Sequence, residues 1–501
     1  MNNLKKIENI RKKKPNIKIG LCHGVFDLLH HGHLQYFKES KKNCDLLIVS
    51  LTADKYINKG PGRPYFNLYQ RKKMLEELKT IDFVIPSNFK TSVELIKKIK
   101  PNYYFKGPDY KNHKKDISEN ILREMKAIKS VGGKFVTTTG KIYSSSKLIN
   151  SELNLLSDFQ KKFINIIKNK HPFANIRKFF DKIKKLNILI VGESIIDQYF
   201  FCDALGKSGK DAVLSIKKNR QELYLGGTIP IAYNLGGFCK KINLLSFIGK
   251  KKEYFDFIKK SKPNNVDNHF ILKKNSPTIV KSRFVDEVSN FKLLGVYSYN
   301  DKNLNHEEKK TLLKKYNKLE KKSDVVIVAD YGHGFISRDF AKTITKKKNS
   351  LFLNAQLNAG NIGHHSLEKY KFANCIVINE AELRHELRDK ENKIEYLIIK
   401  FSKKNKFKNI ILTRGKDGSV FYQVEKNEFV YCPAFEVKPV DKVGAGDTLL
   451  SIFSIFFYIS RCPHLSLLIA SLAAAENVKN FANSYKIDSN YLLKTLQHIT
   501  K

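Results

Sequence analysis

Two short apolar runs constrain this chain more than anything else in it. NIKIGLCHGVFD (16–27) and LNILIVGESIID (186–197) each read as a strand that breaks into a glycine-bearing turn. After the first come further strand-like runs at 45–53, 82–87, 103–107 and 134–139, with amphipathic helical spacing at 65–78 and 117–133. After the second come strand-then-turn runs at 325–332, 375–382 and 409–418. Strands alternating with helices predict βαβ units and parallel sheets, with ligands at the carboxyl ends of the strands. The expected organisation is α/β: one domain over 1–150, a lysine-rich helical linker over 151–185, and a second domain over 186–501. A chain of 501 residues has room for two to four domains. No fixed-period repeat is visible.

Charge bears on partners. Lys and Arg number 92 against 48 Asp and Glu, a formal net charge of +44. The excess is nearly all lysine and runs from end to end, which fits solvated faces better than a nucleic-acid surface. No nucleic-acid partner is expected, although a positive field helps gather phosphorylated substrates. The seven cysteines are scattered without a C-x-x-C, which argues against disulfides or a zinc ribbon and for a reducing cytosol. The first residues, MNNLKKIENIRKKK, lack the apolar core of a signal peptide. The most apolar stretch, 448–460, is shorter than the roughly 20 residues a membrane span needs. A buried helix, no membrane insertion and a cytoplasmic location are expected.

GVFDLLHHGH (24–33) allows three readings: a metal site, a histidine-rich strand end, or a phosphate grip. Metal binding lacks an acidic third ligand beyond Asp27 and an H-E-x-x-H pattern. The order of parts favours phosphate. A strand ends, Gly24 lets backbone approach a ligand, and a helix begins near His30 and His33. The free N–H groups of a helix N-terminus attract anions, and imidazoles there add donors. In VDKVGAGDTLLSIFSIFF (440–457), glycines 444 and 446 flank Ala445 in a turn before a long apolar helix. Backbone N–H groups of that turn can hold an anion while Asp447 accepts a proton from an attacking hydroxyl. An N-capped buried helix is the plainer alternative.

The first motif resembles the G-x-F-D-x-x-H-x-G-H signature of cytidylyltransferase-like nucleotidyltransferases. Three more pieces follow in order: NKGPGRPYFNLYQRKKMLEEL with Arg63 and Arg71, KGPDY (106–110), and the serine turn of GKIYSSSKLIN (140–150). The resemblance implies a Rossmann-like domain in which His30, His33 and Lys106 are catalytic. Gly24, Phe26, Asp27, Arg63, Arg71, Ser144, Ser145 and Ser146 would contact nucleotide and phosphates.

The second half resembles the PfkB/ribokinase carbohydrate kinases over roughly 186–490. The pieces are VGESIIDQYF, LYLGGTIPIAYNLGGF, VVIVADYGHG, NEAE, LTRGKDG and GAGD. The resemblance implies a ribokinase-like α/β domain with Asp447 as catalytic base and Asp197, Gly226, Gly227 and Asn234 at the sugar. Asn379, Glu382, Thr413, Gly415, Gly444, Ala445 and Gly446 would lie at the nucleotide, with Glu382 also at Mg²⁺. Pro230, His333 and Lys442 depart from the family pattern, where Asn, Lys and Thr are usual.

Together the halves resemble bifunctional ADP-heptose synthases with the domain order reversed. The resemblance implies Mg²⁺, ATP-dependent phosphorylation of a heptose-like sugar, and nucleotidyl transfer from ATP or CTP to a sugar phosphate with release of pyrophosphate, in surface-glycan precursor synthesis. An active transferase with a non-catalytic sugar-binding second half is the alternative. Kinases of the resembled family are often dimers, so a homodimer is a further expectation.

Overall fold

The computed structural model describes residues 2–500 other than 90, 112–119, 140–154, 252, 347–349, 359, 363, 437 and 438. The chain divides into two compact units, Met1–Ser157 with Asn490–Lys501, and Asp158–Ser489.

In the first unit β1 (Ile19–Gly24), β2 (Leu46–Thr52), β3 (Phe83–Ser87), β4 (Tyr103–Lys106) and β5 (Lys134–Thr137) form a parallel sheet in the order β3-β2-β1-β4-β5. Every residue of β2, LLIVSLT, is buried, as expected of a parallel strand covered on both faces. Strand order reverses between β1 and β4. Their carboxyl ends therefore flank the crevice where ligands bind in such sheets, and they carry Gly24 and Lys106.

The second unit is built on nine strands in the order β10-β9-β6-β13-β14-β16-β18-β19-β20. The parallel part comprises β6 (Asn187–Gly192), β9 (Lys241–Gly249), β10 (Val266–Lys273), β13 (Val325–Asp330), β14 (Ser350–Ala355), β16 (Cys375–Asn379) and β18 (Asn409–Thr413). The strands β19 (Ser419–Gln423) and β20 (Glu428–Cys432) close it as an antiparallel edge. The short pair β15 (Phe372–Ala373) and β17 (Lys406–Phe407) is separate. A four-stranded sheet, β12-β11-β7-β8, comes from β7 (Ser194–Lys207), β8 (Leu214–Gly227), β11 (Ile279–Asp286) and β12 (Lys292–Ser298). The strand-like runs of the sequence do not predict this sheet.

The apolar stretch 448–460 lies in the helix Ala445–Ser460, whose residues from Thr448 to Phe457 are all buried. Among the described residues no helix is long and apolar enough to cross a membrane. The expected linker, 151–185, is described from Leu155 onward. Residues 151–154 lie outside the described residues, and helices Asp158–Lys170 and Phe173–Ile183 belong to the second unit. Ile176, Phe180 and Ile183 bury one face, and the Phe180 ring meets Phe456 of the apolar helix at 4.8 Å. The apolar spacing that marked a helix is thus a packing face. Asn490–Lys501 groups with the first unit.

Candidate active sites

In the first unit His30 is the N-cap of helix His31–Lys42, with its backbone still extended (φ −145°). One turn on, the His33 ring stacks on His30 with centroids 3.9 Å apart and planes 16° from parallel. Phe26, at φ 48°, packs its ring edge-on to His33 at 5.3 Å. Burial, then His30 and Lys59, push His33 down to about 3, and burial lowers His30 too. Both rings are neutral at pH 7, so each offers one N–H rather than a full positive charge.

The basic segment divides its labour in a way sequence reading missed. Arg71 is fully buried. Its Nε donates to the Phe66 carbonyl, Nη1 to Val25, and Nη2 to Thr52 and to Asp54 Oδ1. Asp27 is also sealed, accepting from Arg63 Nη1 at 2.7 Å and from the N–H groups of Tyr65 and Phe66 at 3.0 Å. Through these bonds Arg71 and Asp27 brace the segment after β1 against Tyr65 and Phe66. Arg63 differs: Nε and Nη2 are buried without a hydrogen-bond partner among the described residues. A guanidinium with two unused donors suits an anion.

Lys106 ends β4 with its Nζ 3.2 Å from Glu124 Oε2, both side chains nearly sealed from solvent. Burial opposes its charge, but Tyr104, Glu124 and Tyr110 hold it well above the ordinary lysine value. Sequence reading missed Glu124. The signal was its place on the apolar face of ISENILREMKAIKS, in step with Ile121 and Ile128. Ser144, Ser145 and Ser146 lie outside the described residues.

In the second unit a cleft of about 370 Å³ gathers Asp197, Gly227, Asn379, Glu382, Thr413, Gly444, Gly446 and Asp447. Four other expected residues do not line it. Gly226 makes room: a Cβ there would sit 2.3 Å from Asp197 Oδ2. Asn234 is buried, its Oδ1 accepting from the Ile487 N–H at 3.3 Å. Gly415 opens a tight turn, and the Ala445 N–H donates to the Lys442 carbonyl. Of the expected backbone cradle, Gly444 and Gly446 therefore face the cleft and Ala445 does not. Gly444 has φ 82°, and a Cβ there would lie 2.0 Å from Asn483 Oδ1.

Asp447 stands in the first turn of Ala445–Ser460, where the helix end favours an anion. Its Oδ1 accepts from the Tyr331 hydroxyl at 2.8 Å. Burial pushes it up to about 6, with Asp197 adding to the rise and Tyr331 and Lys281 opposing it. Asp197 is ion-paired with Arg283 at 2.5 Å. Lys281, on the same strand, is 8 % exposed, and burial lowers its pKa. Sequence reading missed Lys281, Arg283 and Tyr331. The signal for the first two was spacing, since cations two apart on a strand share a face.

Glu382 accepts from the Asn379 and Leu357 N–H groups and is pushed up to about 7 by burial. With Asn379 it forms a capping box on helix Glu380–Leu387. Among the described residues no three His, Cys, Asp or Glu side chains cluster to hold a metal. Mg²⁺ bound through one carboxylate plus substrate phosphates needs no such cage, and Glu382 lines the cleft to offer one. Pro230 falls in the first turn of helix Thr228–Leu235, where no N–H is required. His333 is buried against Tyr299, and Lys442 lines the cleft.

Both halves of the chain match known families. The family described as pfkB family carbohydrate kinase matches residues 185–485, and the one described as cytidylyltransferase-like matches 21–151. The protein named "Bifunctional protein HldE" from Aliarcobacter butzleri is 37% identical over 149 residues, 29% of this chain and 31% of that protein. Its namesake from Nitratiruptor is 24% identical over 273 residues, 53% of this chain and 56% of that protein. The chain thus matches about a third to a half of these relatives' length. Phosphofructokinase-2 from Escherichia coli, in complex with potassium, superposes with a TM-score of 0.50 at 12% identity, covering 63% of this chain and 100% of that one, which speaks to fold alone.

Proposed function

The chain belongs to the pfkB carbohydrate kinase family and carries a cytidylyltransferase-like region ahead of it, and from that premise we propose a bifunctional sugar-activating enzyme. The second unit phosphorylates a heptose-like sugar phosphate with ATP. The first transfers a nucleotidyl group from ATP or CTP to a sugar phosphate and releases pyrophosphate. The pair serves surface-glycan precursor synthesis in the cytoplasm, as a homodimer.

One observation carries this reading: Asp447, Asp197, Lys281 and Arg283 share one cleft. Asp447 takes the proton of the sugar hydroxyl, whose oxygen attacks the γ-phosphorus of ATP as ADP leaves. Asp197 orients the sugar. Lys281 and Arg283 suit an anionic acceptor and offset charge that spreads over the transferred group. Glu382 would hold Mg²⁺, which would neutralise charge on the nucleotide phosphates.

In the first unit a sugar phosphate oxygen attacks the α-phosphorus of the nucleotide. His30, His33 and Arg63 donate to the phosphate oxygens. Lys106 contributes by exchanging Glu124 for phosphate. Losing one such donor typically costs about 3–4 kcal/mol of transition-state stabilisation. The homodimer reading has a candidate surface on the four-stranded sheet and its loops, which leave Leu205, Val213, Leu214, Phe291, Leu294 and Val296 exposed.

Phosphorus NMR with Mg²⁺, ATP or CTP, and a panel of heptose and other sugar phosphates tests the proposal. ADP with a new phosphomonoester is expected from the second unit, and pyrophosphate with a nucleotide-sugar from the first. Pyrophosphate without acceptor-dependent ADP would instead assign the second unit a binding role.

A further inference from the structure

Tyr331 has every polar atom committed. Its N–H donates to Glu193 Oε2 at 2.9 Å. Its carbonyl accepts from Asn358 Nδ2 and Asn361 Nδ2, each at 2.9 Å. Its hydroxyl donates to Asp447 Oδ1 at 2.8 Å. Glu193 is wholly buried at the end of β6, and its other oxygen takes the His333 N–H at 3.1 Å. The turn after β13 is thus clamped on both sides of Gly332, whose φ of 72° is left-handed. One ring length separates that clamp from the carboxylate that would act as base.

Resting on the kinase reading above, we propose that Tyr331 is a positioning residue for phosphoryl transfer, which holds the Asp447 carboxylate in place from a turn that Glu193 pins. An unheld carboxylate at a helix start can rotate toward the backbone N–H groups there. The tyrosine hydroxyl fixes one oxygen and leaves the other for the substrate proton. The same hydrogen bond favours the ionised form. Asp447 also faces Asp197 from β7, which disfavours its charge, Lys281 from β11, which favours it, and Glu382 from the helix after β16, whose charge Asp447 in turn disfavours.

Tyr331→Phe keeps the ring and deletes only the hydroxyl. A hydrogen bond to a charged group of this kind corresponds to a roughly 10- to 100-fold fall in kcat, with the KM values for ATP and sugar unchanged. The acid limb of the kinase pH profile is expected to move to higher pH, which a merely structural tyrosine would not cause. Glu193→Gln leaves one oxygen for two N–H donors and is expected to lower kcat in the same sense. An unchanged kcat and acid limb in Tyr331→Phe would overturn the proposal.

A readout independent of turnover separates this from failure of the kinase reading. Carboxyl-carbon NMR of aspartate-labelled protein, with Asp447→Asn to assign the resonance, follows Asp447 without substrate. Its midpoint should rise in Tyr331→Phe. An unchanged midpoint overturns the role of Tyr331 even if wild type makes no ADP. Absence of ADP alongside a shifted midpoint counts against the kinase reading only.

Discussion

Lys106 and Glu124 form an ion pair of 3.2 Å at the end of β4, almost sealed from water. Removing one member of such a pair strands the other. Glu124→Gln is expected to lower the stability of the first unit by about 3 kcal/mol, read from its urea transition. The pH dependence follows from the shifts. Glu124 is held low by Lys106 against burial, so its contribution is present above the ordinary carboxylate value and lost as pH falls through its lower folded value. Lys106 is held high, so its contribution is present below the ordinary lysine value and lost only above its folded value. The pair therefore weakens in acid and not near neutrality.

Arg71 and Arg63 separate stability from binding. Arg71→Lys cannot reproduce a fork that reaches three carbonyls and Asp54. It is expected to cost about 3 kcal/mol in the same urea transition. Arg63→Lys retains a cation for Asp27 but loses the two spare donors, and should raise the nucleotide KM by about tenfold, in line with one lost charge-assisted hydrogen bond. Steady-state pyrophosphate assays check the second outcome.

The two activities should titrate differently. Asp447 must be ionised to accept a proton, so kinase kcat/KM is expected to rise with pH through about 6. His33, at about 3, is already neutral throughout the usual assay range. It therefore contributes no limb to pyrophosphate release between pH 5 and 8. Parallel pH profiles on one preparation make the comparison.

Lys281→Met tests the anionic acceptor. It removes a cation from the cleft while leaving the Asp197–Arg283 pair intact. Acceptor KM should rise at least about tenfold, a loss of roughly 1.4 kcal/mol, with ATP KM within about twofold. Isothermal calorimetry with the unphosphorylated sugar should show no comparable loss.

Much of this was legible in the sequence, for local reasons. Strand-to-turn runs placed Gly24 and Lys106 at strand ends and Asp447 at a helix start, where α/β sheets put ligands. What escaped depended on partners distant in sequence. The groups that hold Arg71, on Val25, Thr52 and Asp54, come from elements that the local pattern around Arg71 does not reveal. Lys281 gained its place because β11 pairs with β7 in the register that sets it opposite Asp197. Helix Phe173–Ile183 showed its apolar face in the sequence, but not that Phe456 would cover it.

The central claim is that two separate sites do two separate reactions. It is tested most directly by phosphorus NMR on His33→Ala and Asp447→Asn, each shown to be folded. The account predicts that His33→Ala loses pyrophosphate and the nucleotide-sugar while still making ADP and a phosphomonoester, and that Asp447→Asn does the reverse. Loss of both activities in each folded variant would contradict it.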